Sequence, residues 1–279
     1  VCLVGEDLGS KLAKWSGCVL GADGLIYGIP YDSPRLFCFD TSTQTCTLVG
    51  NSVGDGDGKW KNGVLGPDGC IYGIPGNALK VLRYDPRSEV ATRLGEDLGD
   101  SENKWDGGVL ASNGCMYGIP CSASQILKFD PKIKTASLVG HGMGTPSSDY
   151  CGGVIAGDGC IYGLPRGAEQ VLQYDPRLKD LSSVGVDLGS MSWKWLIGPP
   201  DLLEGRMKWR EGCLGPDGCI YGIPNNASRL LKIDPMSGEV SLVGEDLKEG
   251  GGKFHGGVLG RDGSLVLLVA VSCLFQQQC

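Results

Sequence analysis

Apolar and polar positions in this chain repeat with a short period nested inside a long one. Within a unit such as 59–99, short apolar runs are separated by Gly, Asp, Asn and Pro. The first run is of the GGVLG type, at 18–21, 63–66, 108–111 and 153–156; the second is of the IYGIP type, as at 70–75. Between them stands GADG, GPDG, ASNG or AGDG, a tight-hairpin signal. The third run, VLRYD at 81–85, alternates polar and apolar positions, and the fourth is of the LVG type, as at 137–140. Turns such as Asp234-Pro235-Met236-Ser237-Gly238 join the third run to the fourth. No segment combines helical period with helical length. The pattern predicts four short antiparallel strands per unit and an all-β chain.

The long period is 45 residues. It carries Trp15, Trp60, Trp105 and Tyr150, then Trp209 after 59 residues and Phe254 after a further 45. Asp40, Asp85, Asp130, Asp175 and Asp234 keep the same step. Four antiparallel strands every 45 residues describe a blade of a β-propeller. One such blade cannot bury both faces alone; packing between two neighbours solves this and leaves only short edges. The expectation is a single β-propeller domain over 1–279, with units near 14–54, 59–99, 104–144, 149–189 and 207–247. A sixth, at 252–279, would be completed by 1–9 and closed by a strand at 2–5. A longer chain with seven blades, or an open array, is the alternative. Two places break the pattern. After Trp195 an inserted loop, 190–206, adds 14 residues, which reads as a loop on one face or as a partial duplication or retained non-coding sequence. After Gly263 the IYGIP run gives way to SLVLLVAVSCLFQQQC.

Composition changes this picture little. The 47 glycines fall mostly at recurring turn positions, which is turn chemistry and not disorder. A net charge of −7 and a pI near 4.9 argue against a nucleic-acid partner. The apolar run at 265–275 is shorter than the ~20 residues that span a bilayer, so no membrane association is expected. Of 13 cysteines, Cys70, Cys115, Cys160 and Cys219 share one repeat position, where Leu25 and Ser264 also occur, as befits a small buried strand site. Cys38 and Cys46 flank a hairpin, but Cys38 aligns with polar and Cys46 with apolar positions, so the two should point to opposite faces. Free thiols suit a reducing compartment, and no signal segment follows Val1; the expected location is the cytoplasm.

The fifth unit, 215–240, resembles blades of propellers related to streptogramin lyase, YVTN and NHL repeats. The resemblance rests on Gly215-Pro216-Asp217-Gly218, Tyr221, Ile233-Asp234-Pro235 and Ser237-Gly238, and it extends over all five full units. Kelch repeats are more loosely similar, through Gly107-Gly108 and Gly152-Gly153, although here the Trp precedes the Gly pair. The resemblance implies the propeller fold. Streptogramin-type lyases use clustered His and Glu, and lactonase-like propellers hold a metal with Glu, Asn and Asp; neither set carries over residue by residue.

In propellers the loops from fourth to first strand and from second to third share one face. Here that face would carry Trp15, Trp60, Trp105, Tyr150, Trp209 and Phe254 with Lys59, Lys104 and their counterparts Lys14, Lys208 and Lys253. Aromatic-plus-cation sets suit a flat or anionic partner. The competing reading wedges each aromatic between blades and sets each Lys against the acidic loops, such as Glu96 and Asp97. Asp55 and Asp57 in GDGDGK lack the ligand count of a calcium loop. His141 and His255, the only histidines, have no His-x-Glu partner and are the sole catalytic candidates. The expected function is a monomeric, non-enzymatic binding or protein-interaction scaffold without cofactor or metal, its partner a protein or small ligand on that face. The alternative is a propeller lyase or hydrolase using His141, His255 and the 190–206 loop.

Overall fold

The computed structural model describes residues 8–9, 13–140, 150–189, 207–248, 252–260 and 262–268. Its contacts divide the chain into an N-terminal unit, Val1–Gly144, and a C-terminal unit, Thr145–Cys279. The N-terminal unit holds three four-stranded blades: β1 (Trp15–Leu20), β2 (Ile26–Pro30), β3 (Leu36–Asp40) and β4 (Thr45–Val49); β5 (Trp60–Leu65), β6 (Ile71–Pro75), β7 (Val81–Asp85) and β8 (Val90–Leu94); β9 (Trp105–Leu110), β10 (Met116–Pro120), β11 (Ile126–Asp130) and β12 (Thr135–Val139). The C-terminal unit holds two more: β13 (Tyr150–Ile155), β14 (Ile161–Pro165), β15 (Val171–Asp175) and β16 (Asp180–Val184); β17 (Trp209–Leu214), β18 (Ile220–Pro224), β19 (Leu230–Ile233) and β20 (Val240–Val243). A two-stranded sheet, β21 (Gly256–Leu259) with β22 (Leu265–Leu268), follows. Each blade is an antiparallel meander in chain order. No helix among the described residues is long and apolar enough to cross a membrane. The expected strand at 2–5 and the inserted loop at 190–206 lie outside the described residues.

The first hairpin of every blade is set by one side chain. In the first blade the Gly21 N–H donates to Leu25 O at 2.8 Å, and Gly24 takes a φ of +84°, the left-handed region that only glycine adopts freely. Asp23 accepts the Leu25 N–H on Oδ1, while its Oδ2 accepts the Tyr27 hydroxyl at 2.6 Å. The same carboxylate–phenol pair recurs as Asp68–Tyr72 at 3.0 Å, Asp158–Tyr162 at 2.9 Å and Asp217–Tyr221 at 2.8 Å. Asn113 serves Tyr117 by donating to its hydroxyl. The Asp of GxDG therefore does more than form a turn: it satisfies a phenol whose ring is buried in the blade.

Blades meet through ring and aliphatic contacts that also repeat. Tyr27 packs on Tyr84 with ring centroids 5.5 Å apart, and Tyr72 on Phe129 at 5.7 Å. The second strands are the innermost material: every residue of β6, β10 and β14 is buried. Ile29 of one blade lies over Gly63 of the next, so closely that a Cβ there would sit 2.6 Å from Ile29 Cδ1. Ile74 over Gly108, Leu164 over Gly212 and Ile223 over Gly257 repeat the contact. This close approach is why that column of the run is glycine at 63, 108, 212 and 257, whereas Cys18 holds it in the first blade.

The thiols are packing atoms. Cys38 is register partner to Thr47 and Cys46 to Phe39, which places the two cysteines on opposite faces, both buried and unbridged. Burial pushes the Cys70 thiol up to about 12 and the Cys160 thiol to about 11. Among the described cysteines Cys18 is the exposed one. Iodoacetamide near neutral pH should therefore label Cys18 first among them, and Cys70 and Cys160 only in denaturant, as peptide mass spectrometry would show.

Candidate functional site

In the five four-stranded blades the aromatic opens the first strand instead of standing in the loop before it, whereas Phe254 precedes β21 by two residues. Trp60 is 0% exposed, Trp105 and Trp209 2% and Tyr150 8%; Trp15 and Phe254 are half-buried. Each indole N–H donates to the carbonyl twenty residues on: Trp15 to Arg35, Trp60 to Lys80 and Trp105 to Gln125 at 2.9 Å, Trp209 to Arg229 at 3.0 Å. An exposed aromatic set on one face is thus corrected at Trp60, Trp105, Tyr150 and Trp209. The rings wedge into the blade, because a Trp on a strand facing the third-strand approach buries its area and satisfies its one donor together.

The lysines are corrected the same way. Lys59, Lys104 and Lys208 are 5%, 3% and 5% exposed. Their ammonium groups donate to loop carbonyls: Lys59 to Gly56 at 2.8 Å, Lys104 to Ser101 at 2.9 Å, and Lys208 to Ala168 at 2.6 Å and Gly189 at 2.7 Å. Burial lowers the Lys104 pKa from its ordinary value, against the opposing pull of Asp100 and Asp97. Each Lys cross-links the loop that precedes its own strand. The loops are also latched blade to blade: Asp32 Oδ1 accepts the Gly58 N–H at 2.8 Å, Asn77 Oδ1 the Asn103 N–H at 2.7 Å and Asn226 Oδ1 the Gly252 N–H at 2.9 Å.

A different column carries varied chemistry. Each four-stranded blade has an irregularity in register just after the aromatic, between Trp15 and Cys18, Trp60 and Gly63, Cys151 and Gly153, and Trp209 and Gly212, with its counterpart in β9. A bulge frees side chains from the alternation of the strand and re-aims them. The residue after the aromatic is Ser16, Lys61 and Asp106 in the N-terminal unit, and Cys151, Arg210 and His255 in the C-terminal unit: six different polar or ionisable types among otherwise similar repeats. In the N-terminal unit Lys61 Nζ lies 3.5 Å from Asp106 Oδ2, with side chains 12% and 22% exposed, and the Asn62 amide presses on Gly17. In the C-terminal unit Cys151 Sγ donates to Trp209 O at 3.1 Å. Glu211 directs its carboxylate at Gly256, where a Cβ would lie 2.5 Å from Oε2, so this acid stands at the residue next to His255. His255 itself is half-buried; His141 lies outside the described residues.

Asp55 and Asp57 are exposed on the loop before β5, and no group of three or more His, Cys, Asp or Glu able to hold a metal occurs among the described residues. They border a cleft of about 410 Å³ in the N-terminal unit, lined also by Lys59, Trp60, Lys80 and Arg93.

No family model matches this chain, and no curated protein matches it. Solved structures do. Virginiamycin B lyase from Staphylococcus aureus aligns with a TM-score of 0.69 at 11% identity, covering 94% of this chain and 86% of the lyase. A catalytically inactive histidine-to-alanine form of that lyase with quinupristin gives 0.68 at 10% identity, over 95% and 87%. Hydrazine synthase from Kuenenia stuttgartiensis gives 0.67 at 15% identity, over 96% of this chain and 77% of the other. At these identities the likeness shows the fold alone, a β-propeller of the type seen in streptogramin B lyases.

Proposed function

We propose that this chain is a binding propeller that recognises a small polar ligand or a charged protein segment through the first-strand bulge residues of its N-terminal unit, Ser16, Lys61 and Asp106. The observation that carries the reading is the contrast between columns. Positions that build the blade are nearly constant, whereas the position after each aromatic changes in every repeat and always to a residue with hydrogen-bonding or charge capacity. Function grafted onto a repeated scaffold is expected at such departures. Lys61 and Asp106 support this: a cation and an acid stand 3.5 Å apart, 12% and 22% exposed, in the column that the blade leaves free to vary. A thermal-shift screen of polar metabolites and short charged peptides tests it. The double variant Lys61→Ser/Asp106→Ser, which removes both members of the pair and so strands no charge, should fold and abolish the shift of any hit. Hits that survive both substitutions would overturn the assignment.

A second reading is favoured by Glu211 at Gly256 beside His255 and by the histidine that virginiamycin B lyase requires. On this reading the chain is a lyase, with His255 as the base that abstracts a proton and Glu211 orienting it. Quinupristin is the probe: turnover followed by chromatography that is lost in His255→Ala supports it, and unchanged quinupristin after prolonged incubation with the wild-type chain sinks it.

A further inference from the structure

We propose that the cleft between the β4–β5 loop and the β6–β7 loop is a second binding site, specific for a small zwitterion of amino-acid to dipeptide size. The site is distinct from the first-strand bulges. Its walls carry opposite charge: Asp55 and Asp57 on the β4–β5 side, Lys80 and Arg93 on the other, with Trp60 and Lys59 at the floor. A lone anion would face the two carboxylates and a lone cation the two bases; only a molecule carrying both charges is complementary to the whole lining. About 410 Å³ falls within the range of small-ligand clefts, near its lower end.

Three departures from the repeat create the cleft. Arg93 stands where the sibling fourth strands carry Leu48, Leu138, Ser183 and Leu242. Lys80 stands where Arg35, Gln125 and Gln170 donate to the carbonyl ending the fourth strand, at Gly50, Gly140 and Gly185; Lys80 instead sets its charge near Glu96. The loop reads Gly-Asp-Gly-Asp-Gly, and Gly54, Gly56 and Gly58 all take positive φ, which turns the chain so that both acids border the opening.

The walls are held before any ligand arrives. Arg93 donates to Val53 O and holds its guanidinium 5.9 Å from the centre of the Trp60 ring. The Trp60 indole fixes the Lys80 carbonyl at 2.9 Å, and Asn77 Nδ2 fixes the Asp57 carbonyl at 3.0 Å. The Arg93 guanidinium and the backbone beneath Lys80 and Asp57 are thus held in place, and preorganisation of this kind lowers the ordering cost of binding.

Titration calorimetry of the whole chain with alanyl-alanine, its N-acetyl form and its C-terminal amide tests the proposal. The free dipeptide should bind; blocking either end should weaken it about tenfold or more, the loss expected for one charge-assisted hydrogen bond. Arg93→Leu and Lys80→Gln install the residues found in sibling repeats, and Asp55→Asn removes one acid from an exposed loop. Each should weaken binding about tenfold with the melting temperature nearly unchanged. Equal binding of free and blocked dipeptides, no heat at millimolar free dipeptide, or wild-type affinity in all three variants overturns the assignment. Should a variant unfold, the blocked dipeptides on the wild-type chain decide alone.

Discussion

Replacing Trp60 by alanine should lower the unfolding free energy by about 3–5 kcal/mol, the range found when a large aromatic is deleted from a packed interior. Trp60 is fully buried, its indole N–H is committed to Lys80 O at 2.9 Å, and Arg93 lies against its ring. Alanine removes the apolar area, leaves a void that a sheet locked between neighbours cannot close, and orphans the Lys80 carbonyl. Trp60→Phe separates these terms: it keeps most of the area and should cost about 1–2 kcal/mol, from the lost hydrogen bond and a smaller void. Trp15→Ala should cost less than Trp60→Ala, because Trp15 makes the same bond to Arg35 O but is only half-buried. Urea unfolding followed by circular dichroism measures all three. A Trp60→Ala cost below about 1 kcal/mol would mean that the aromatic column faces solvent and is free to act in recognition.

The architecture was legible because each strand is short, repeated and bounded by turn chemistry. The third strand at 81–85 and the Pro that ends each second strand are read directly from the pattern. The first strand was read too short, from Gly63, because Trp60 and Lys61 do not continue its alternation; in the structure β5 begins at Trp60 and the bulge absorbs the mismatch. The same bulge hid the candidate residues of this column other than His255. A column holding Ser16, Lys61, Asp106, Cys151, Arg210 and His255 has no recurring type, so aligning repeats treats it as noise, whereas a column holding Trp looks like a signature. The usable signal was variance: among repeats this alike, a position that never repeats is where the fold makes no demand.

The lysines show the converse. Lys59 and Lys104 recur like functional residues, yet nothing in the pattern told that their ammonium groups turn inward. That follows from loop geometry, in which Gly56 and Ser101 offer carbonyls three residues upstream with no backbone donor to satisfy them. A long flexible side chain with three donors is the cheapest group able to close such a loop. The cleft at Arg93 was hidden for a third reason: it needs the β4–β5 loop, the β6–β7 loop and β8 together, and their approach is tertiary.

Alkaline titration should unfold this protein from about pH 10 upward. Burial raises the pKa of Tyr27, Tyr72, Tyr117 and Tyr162 above the ordinary 10.0, and that of Tyr84 to about 12. Hydrogen bonding to the ionised Asp23, Asp68 and Asp158 adds to the rise for Tyr27, Tyr72 and Tyr162. A phenol whose folded pKa exceeds its unfolded value stabilises the fold fully below pH 10 and loses that contribution as pH rises toward the folded pKa. For Tyr84 alone the shift corresponds to about 2–3 kcal/mol by pH 12. Cys70 and Cys160 act in the same direction from pH 9 upward. Lys104 and Lys253 oppose them: a lysine lowered by burial destabilises the fold at neutral pH, and that cost eases as the pH climbs. Two lysines against six phenols, Tyr221 included, and six thiols, Cys38, Cys115, Cys213 and Cys219 included, leave a net loss. The urea midpoint should hold between pH 7 and 9, fall from about pH 10, and the appearance of tyrosinate absorbance should coincide with loss of the strand signal, not precede it. Tyr84→Phe keeps the ring stacked on Tyr27 and removes one of these groups, so it should change stability little at pH 7 and shift the alkaline midpoint upward. Tyrosinate that forms near pH 10 without unfolding would show that the phenols are open to water and that the Asp–Tyr hairpin pairs do not hold in solution.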